Sequence, residues 1–160
     1  MRTKETFARA VAMHKDTVFR VAFSYLKNQE DANDITQNVF LKLFKSDITF
    51  ENDRHLRSWL IRVTINECHS IFRAPWRKTE NIDDYMEQLA IPSPKHSELF
   101  SAVMAMPEKY RTVIYLFYYE EYSAEEIGKL LNIPAATVRT RLARGRKNLK
   151  KILVEEEIYD

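Results

Sequence analysis

Apolar positions at Phe7, Val11, Val18, Ala22 and Tyr25, with Ala8, Phe19 and Leu26 beside them, recur at helical spacing. They predict a long amphipathic helix over 4–27. Residues 28–31 read as a turn, and a second helix follows over 31–44, with Ile35, Val39 and Leu43 on one stripe and Phe40 and Phe44 beside it. Two helices joined by so short a turn must pack on each other. Residues 46–53 are polar and rich in Asp, Asn and Thr, which favours a loop whose end caps the next helix. That third helix is predicted over 54–72, with Leu56, Trp59, Leu60 and Val63 inward, ending before Pro75.

Between Ala74 and His96 the pattern breaks. Prolines stand at 75, 92 and 94, and Glu80, Asp83, Asp84 and Glu87 lie in a stretch without an apolar stripe. The reading is a flexible linker over 76–96, with one helical turn near 85–89, between domains at 1–75 and 97–160. The second domain begins with a helix over 97–106, and Pro107 suits the first position of the next, which runs through Tyr110, Val113, Ile114 and Phe117. Ser123 and Glu126 form a capping-box pattern that starts a short helix with Ile127, Leu130 and Leu131 inward. Asn132-Ile133-Pro134 turns the chain into a last helix over 136–155, with Val138, Leu142, Leu149 and Ile152 as its stripe.

Composition supports an all-α chain of two small helical domains. The 160 residues include only two glycines, where average usage of roughly seven per cent would give about eleven. A glycine-rich phosphate loop or dinucleotide-binding glycine motif is thereby excluded, and few residues are left for hairpin turns. One cysteine, Cys68, excludes an intramolecular disulfide and a cysteine-based zinc site, and suggests a reducing compartment. The histidines at 14, 55, 69 and 96 match no metal spacing, so no metal or other cofactor is expected. No clustered Ser/His/Asp or Cys/His groups suggest an enzyme. The longest apolar run, 113–119, is far short of a membrane span, and the polar start lacks a signal peptide's apolar segment. A cytoplasmic location is the expectation.

The net charge of +2 hides an uneven distribution. Basic residues stand at 139, 141, 144, 146, 147, 150 and 151 with no acid among them, whereas the last six residues carry four acids. A short helix, a three-residue turn and a second helix with a basic exposed face are the pattern of a helix-turn-helix. Gly128 stands one turn before Asn132, where a side chain would hold the two helices apart, and Asn132 tolerates the left-handed conformation a tight turn needs. With Val138 and Leu142 inward, Arg139, Thr140, Ala143, Arg144 and Lys147 face outward. Arginine suits bidentate contact with guanine, and the small Ala143 permits close approach or contact with a thymine methyl. Arg141, Arg146 and Lys150 are placed for phosphates on the flanks. The bland alternative is a solvated basic helix, which is what most charge runs are. Spacing, capping box and an uninterrupted positive face occur together here, and that combination favours DNA. Gly145, inside the last helix, has no evident role at this level.

The stretch Phe19-Arg-Val-Ala-Phe-Ser-Tyr-Leu-Lys-Asn28 with 31–44 resembles the second conserved region of sigma-70 family factors, and 55–66 resembles the promoter-reading helix of the same domain. From Leu116, and above all over 126–146, the chain resembles the fourth region. Without an intervening third domain, it is most similar to the extracytoplasmic-function (ECF) group of sigma factors. The resemblance covers about residues 7–73 and 97–152, and the joint order of the motifs makes it specific.

The resemblance implies a transcription initiation factor that binds core RNA polymerase, through its beta-prime clamp and beta flap, and reads minus-10 and minus-35 promoter DNA. It implies that the helix over 31–44 docks on the clamp. Asp34, Gln37, Asn38, Leu41 and Lys42 lie off its inward stripe, with Leu41 as an apolar anchor, although a solvated face accounts for Asp34 and Lys42 equally well. It implies that the third helix and the loop before it open the minus-10 element. There the loop 48–55 would supply a base pocket, Arg57, Arg62 and Arg73 would meet phosphates, and Asn66 and Ser70 would read base edges. Trp59 is assigned to the core rather than to base stacking. The minus-35 element would fall to Arg139, Thr140, Arg141, Ala143, Arg144 and Lys147. Acidic residues of the linker would mimic the RNA chain in the polymerase's exit path, against the safer reading of a plain tether. An anti-sigma factor is a further implied partner, held between the two domains. Two departures stand out: Ala135-Ala136 replaces a glycine often found before the Thr-Val of the recognition helix, and Ala143 is small where some members carry an aromatic. The competing reading is an autonomous helix-turn-helix regulator whose N-terminal half binds an effector or dimerises; it would prefer symmetric half-sites without polymerase.

Overall fold

The computed structural model describes residues 3–72 and 94–159. The linker acids, the helical turn expected near 85–89 and Arg73 lie outside the described residues. Seven helices are present among those described: α1 (Lys4–Leu26), α2 (Gln29–Lys45), α3 (Asp53–Phe72), α4 (Pro94–Met104), α5 (Glu108–Tyr118), α6 (Ala124–Leu131) and α7 (Ala135–Tyr159). The chain divides into two compact units, residues 1–80 and 81–160.

In the first unit α1, α2 and α3 pack pairwise on one another. Thr3 caps α1 by accepting a hydrogen bond from the Thr6 amide at 3.2 Å. Lys27 ends the helix in the left-handed region at φ 52°, its amide bonded to the Phe23 carbonyl at 2.8 Å. Asn28 then caps α2 by accepting from the Asp31 amide at 2.9 Å, so only the two cap residues, Lys27 and Asn28, separate the two helices. Second-helix residues Ile35, Val39 and Leu43 are fully buried, as their stripe predicts, and Phe44 meets Phe7 edge to face at 5.0 Å. The last turns of α1 are buried all round, from Val21 to Leu26, because both other helices cover them.

The buried stripe of α3 differs from the one expected. Leu60, Ile61, Thr64, Ile65 and Cys68 are buried, while Leu56, Trp59 and Val63 are only half-buried. Wedged against both α1 and α2, this helix buries a face turned away from the one its first apolar residues mark. Thr64 is accommodated there by donating its hydroxyl to the Leu60 carbonyl at 2.6 Å. Asn52 caps α3, accepting from the His55 amide at 2.8 Å, so the polar loop does end in a cap.

In the second unit α7 packs on α4, α5 and α6. Helix α4 starts at Pro94, three residues before the expected start, with the proline at the first helical position. Pro107, by contrast, stands just outside α5 as its cap, at φ −55° and ψ 147°. The fixed φ of proline suits both positions, so ψ decides and the sequence does not. Buried hydrogen bonds fix both ends of α5: Arg111 donates to the Met106 carbonyl before the helix at 3.1 Å, and the Tyr115 hydroxyl donates to the Glu120 carboxylate after it at 2.6 Å. Gly145 now has a role. A Cβ there would stand 2.9 Å from Ile114 Cγ1, so the glycine lets α7 lie close on α5.

Candidate nucleic-acid interface

The helix-turn-helix is assembled as the sequence predicts. Ser123 accepts from the Glu126 amide at 3.1 Å while the Glu126 carboxylate accepts from the Ser123 amide at 3.0 Å, which closes the capping box that starts α6. Asn132 ends α6 in the left-handed region at φ 57°, and the Ile133 amide returns to the Gly128 carbonyl at 2.9 Å. A Cβ on Gly128 would lie 2.7 Å from the Ile133 carbonyl oxygen, so only glycine permits so tight a turn. Val138 and Leu142 are buried at 0% and 2% exposure, and this anchoring fixes the rotation of α7.

The opposite face of α7 carries Arg139, Thr140, Ala143, Arg144 and Lys147, all exposed. Arg141 lies at the edge of this face and is half-buried, which suits a flanking phosphate better than a base. Thr140 returns its hydroxyl to the Ala136 carbonyl at 3.1 Å, and that oxygen still has lone pairs to accept with. Arg146 departs from its expected role on the flank: its Nε donates to the Tyr118 hydroxyl at 2.7 Å, and the guanidinium lies 5.7 Å from the centroids of both the Phe117 and Tyr118 rings. It ties α7 to α5. Leu149 and Ile152 are half-buried rather than core. Arg139 has a partner that the sequence did not suggest, Glu125 of α6, whose Oε1 accepts from Nη1 at 2.9 Å. The separation of 14 residues in sequence conceals the pair, since only the turn geometry brings the two together.

In the first unit, Arg62, Asn66 and Ser70 are exposed and stand at four-residue intervals along one face of α3. Arg57 does not join them. Five residues before Arg62 on a helix of 3.6 residues per turn, it faces the packed side and is half-buried. Beside this face, Phe50 of the loop meets Trp59 edge to face at 5.7 Å and His55 at 5.1 Å. Trp59 is therefore half-buried under the loop rather than in the core to which it was assigned. The loop lines an open groove of 610 Å3 between Thr3, Thr6, Ile48, Phe50 and Leu56. Loop position 50 went unnoticed as an isolated aromatic in a polar stretch.

On α2, Asp34, Gln37, Asn38, Leu41 and Lys42 are all exposed, Leu41 by 49%. Lys42 is bound to the Glu67 carboxylate of α3, so it is less available to a partner than its position suggests. A partly buried contact in the same unit, between buried His14 Nε2 and exposed Asp53 Oδ1 at 2.8 Å, joins α1 to the start of α3.

A unit whose helix-turn-helix presents an exposed basic helix, together with a second that presents an exposed polar helix face and a loop groove, fits a DNA-binding regulator of transcription. Comparison with known proteins makes the class specific. The family described as "Sigma-70 region 2" matches residues 10–78 and "Sigma-70, region 4" matches residues 96–149. The ECF RNA polymerase sigma factor SigW of Bacillus subtilis is 31% identical over 94% of this chain and 90% of its own length. SigV of the same organism is 30% identical over 98% and 96%. The solved structure of CnrH, in complex with the cytosolic domain of CnrY, has a similar fold, with a TM-score of 0.69 at 24% identity over 96% of this chain and 90% of that one. The chain belongs to the sigma-70 family, in its extracytoplasmic-function group. It is a promoter-directing transcription initiation factor, which acts with core RNA polymerase on promoter DNA. No helix among the described residues is long and apolar enough to cross a membrane.

Proposed function

We propose that α7 reads the minus-35 element in the major groove, with Arg139 and Arg144 on base edges, Ala143 permitting close approach, and Thr140, Arg141 and Lys147 on flanking contacts. The observation that carries this reading is the uniformly exposed, acid-free face of α7, fixed in rotation by Val138 and Leu142 and by the steric demand at Gly128. Arg62, Asn66 and Ser70 meet the minus-10 element along one face of α3, with Arg62 at phosphate and the loop groove beside Phe50 taking an unstacked base. Arg57 supports α3 rather than touching DNA, and Arg73 is retained as a phosphate contact on sequence grounds alone.

Asp34, Gln37, Asn38 and Leu41 form the surface for the beta-prime clamp, with Lys42 held at its edge by Glu67. The second unit takes the beta flap. The protein acts in the cytoplasm, where its polymerase and DNA are, and has no catalysis of its own. Solved relatives include CnrH bound to CnrY and a sigma factor RpoE bound to the anti-sigma factor NepR from Bartonella quintana. An anti-sigma factor is accordingly a proposed partner.

The test is run-off transcription with core enzyme on genomic promoter fragments. Wild-type protein gives start-site-directed transcripts. Arg144→Ala loses about 1 to 3 kcal/mol of discrimination in the upstream element and keeps polymerase binding. An equal loss of polymerase binding by that variant refutes the assignment of the face.

A further inference from the structure

We propose that Glu125 is a positioning residue for promoter recognition: it holds the Arg139 guanidinium at one place on the recognition face and trades general DNA affinity for discrimination. The proposal rests on the reading of Arg139 as a base contact.

The geometry is a single pair across the helix-turn-helix. Arg139 Nη1 donates to Glu125 Oε1 at 2.9 Å, which leaves the Nε and Nη2 edge free. That edge carries two parallel donors in one plane, the fork that fits O6 and N7 of a guanine. Unheld, an arginine on the rim of a helix samples many rotamers and must be ordered when DNA arrives. Held at one end by a carboxylate, it meets the base already in its plane. Arg144 and Lys147, its neighbours on the same face, have no such partner among the described residues.

Stability does not account for the pair. Both side chains are more than half exposed, at 58% and 65%, and exposed ion pairs contribute little. Nor does the helix dipole require it, because Glu126 already supplies an acid to the first turn of α6 and closes its capping box. Glu125 also lies beside a face whose other charges are positive, where it repels phosphate and weakens sequence-independent binding. A carboxylate in that place opposes affinity for every DNA sequence and favours only the one that needs Arg139 in its held position. Specificity arises in this way from a repulsive element as well as an attractive one.

The experiment uses holoenzyme reconstituted with core RNA polymerase. Its probes are promoter fragments selected by the wild-type holoenzyme, each base pair of the upstream element substituted in turn, and a non-promoter duplex over a salt series. Glu125→Ala is expected to lower discrimination at the base pair read by Arg139 by about three- to tenfold, and to raise affinity for the non-promoter duplex with a steeper salt dependence. Glu125→Gln, which keeps an acceptor of the same length, is expected to hold discrimination within about twofold while non-promoter affinity still rises. Arg139→Ala loses the same discrimination, and adding Glu125→Ala to it causes no further loss. Discrimination unchanged by Glu125→Ala, equal loss with Gln and Ala, or additive losses in the double variant would each overturn the positioning role. If Arg139→Ala itself alters no base pair of the element, the base-contact reading has failed, and the proposal is overturned with it.

Discussion

Replacing Gly128 by alanine sets two effects of known size against each other. Alanine in a helix interior is favoured over glycine by about 1 kcal/mol. Against this, the new Cβ would stand 2.7 Å from the Ile133 carbonyl oxygen and must retreat by about 0.7 Å to reach ordinary contact at 3.4 Å. The neighbour is backbone, in the turn that joins α6 to α7, so no rotamer change relieves it. Overpacking of this kind costs about 1 to 3 kcal/mol, and the clash prevails. The displaced segment leads directly into Ala135 and α7, the helix proposed to read the upstream element. The expected result is a thermal transition of the C-terminal unit lowered by about 4 to 8 °C for each 1 kcal/mol lost, together with reduced transcription from promoters that depend on the upstream element. Gly145→Ala serves as the control. Its Cβ would meet Ile114 Cγ1 at 2.9 Å, a side-chain contact within the core, so stability falls without any change in upstream-element preference. Circular dichroism melts and holoenzyme binding to substituted promoters measure both. A Gly128→Ala protein that melts higher than wild type with unchanged preference refutes the reasoning.

Leu41→Ala is expected to weaken core polymerase binding by about five- to thirtyfold, equivalent to 1 to 2 kcal/mol, and to leave the melt unaltered, since the side chain is 49% exposed; fluorescence titration with core enzyme checks it. Phe50→Ala should leave polymerase and duplex binding near wild type and slow promoter opening, read by permanganate footprinting of the minus-10 region. Tyr115→Phe removes a donor from the buried Glu120 carboxylate and should cost about 1.5 to 3 kcal/mol in denaturant melts. Tyr119→Phe should cost nothing or stabilise, because its buried hydroxyl has no hydrogen-bond partner among the described residues. Burial pushes the Tyr119 phenol up from 10.0 to about 12. Its folded-state value lies above the unfolded one, so the stability linked to the neutral form is complete below pH 10 and is lost as pH rises through 12. In Tyr119→Phe that alkaline loss should shrink, as followed by melts between those limits.

Legibility in the sequence followed the kind of interaction. Helices and caps were readable because they depend on residues within four positions of each other: the Ser123–Glu126 box and the Asn132 turn stand where their spacing puts them. The rotation of α7 was readable too, because Val138 and Leu142 are the only strongly apolar residues in its first two turns. Rotation failed for α3. Apolar residues occur on most of its circumference, and only contact with both α1 and α2 selects Ile61, Ile65 and Cys68 over Leu56 and Val63. Arg57 follows the same rule: it stands half-buried and off the face of Arg62, because nearness in sequence says little about a shared face.

Charge was the least legible property, because a lone basic residue carries no sign of its partner. Arg139, Arg146 and Lys42 all read as free cations in the sequence. The structure gives them three different neighbours: a carboxylate on α6, a pair of aromatic rings on α5, and a carboxylate on α3. Each neighbour lies at least 14 residues away in the chain. Of the seven basic positions between 139 and 151, those without a carboxylate or aromatic partner on the outward face among the described residues, Arg144 and Lys147, keep their attraction for phosphate undiminished by such a contact. A basic run therefore overstates its DNA-binding charge by the number of its members that the fold has already engaged. In a protein that must reject most of the genome while bound to a polymerase, that reduction favours selectivity, because affinity drawn from phosphate alone is equal for every sequence.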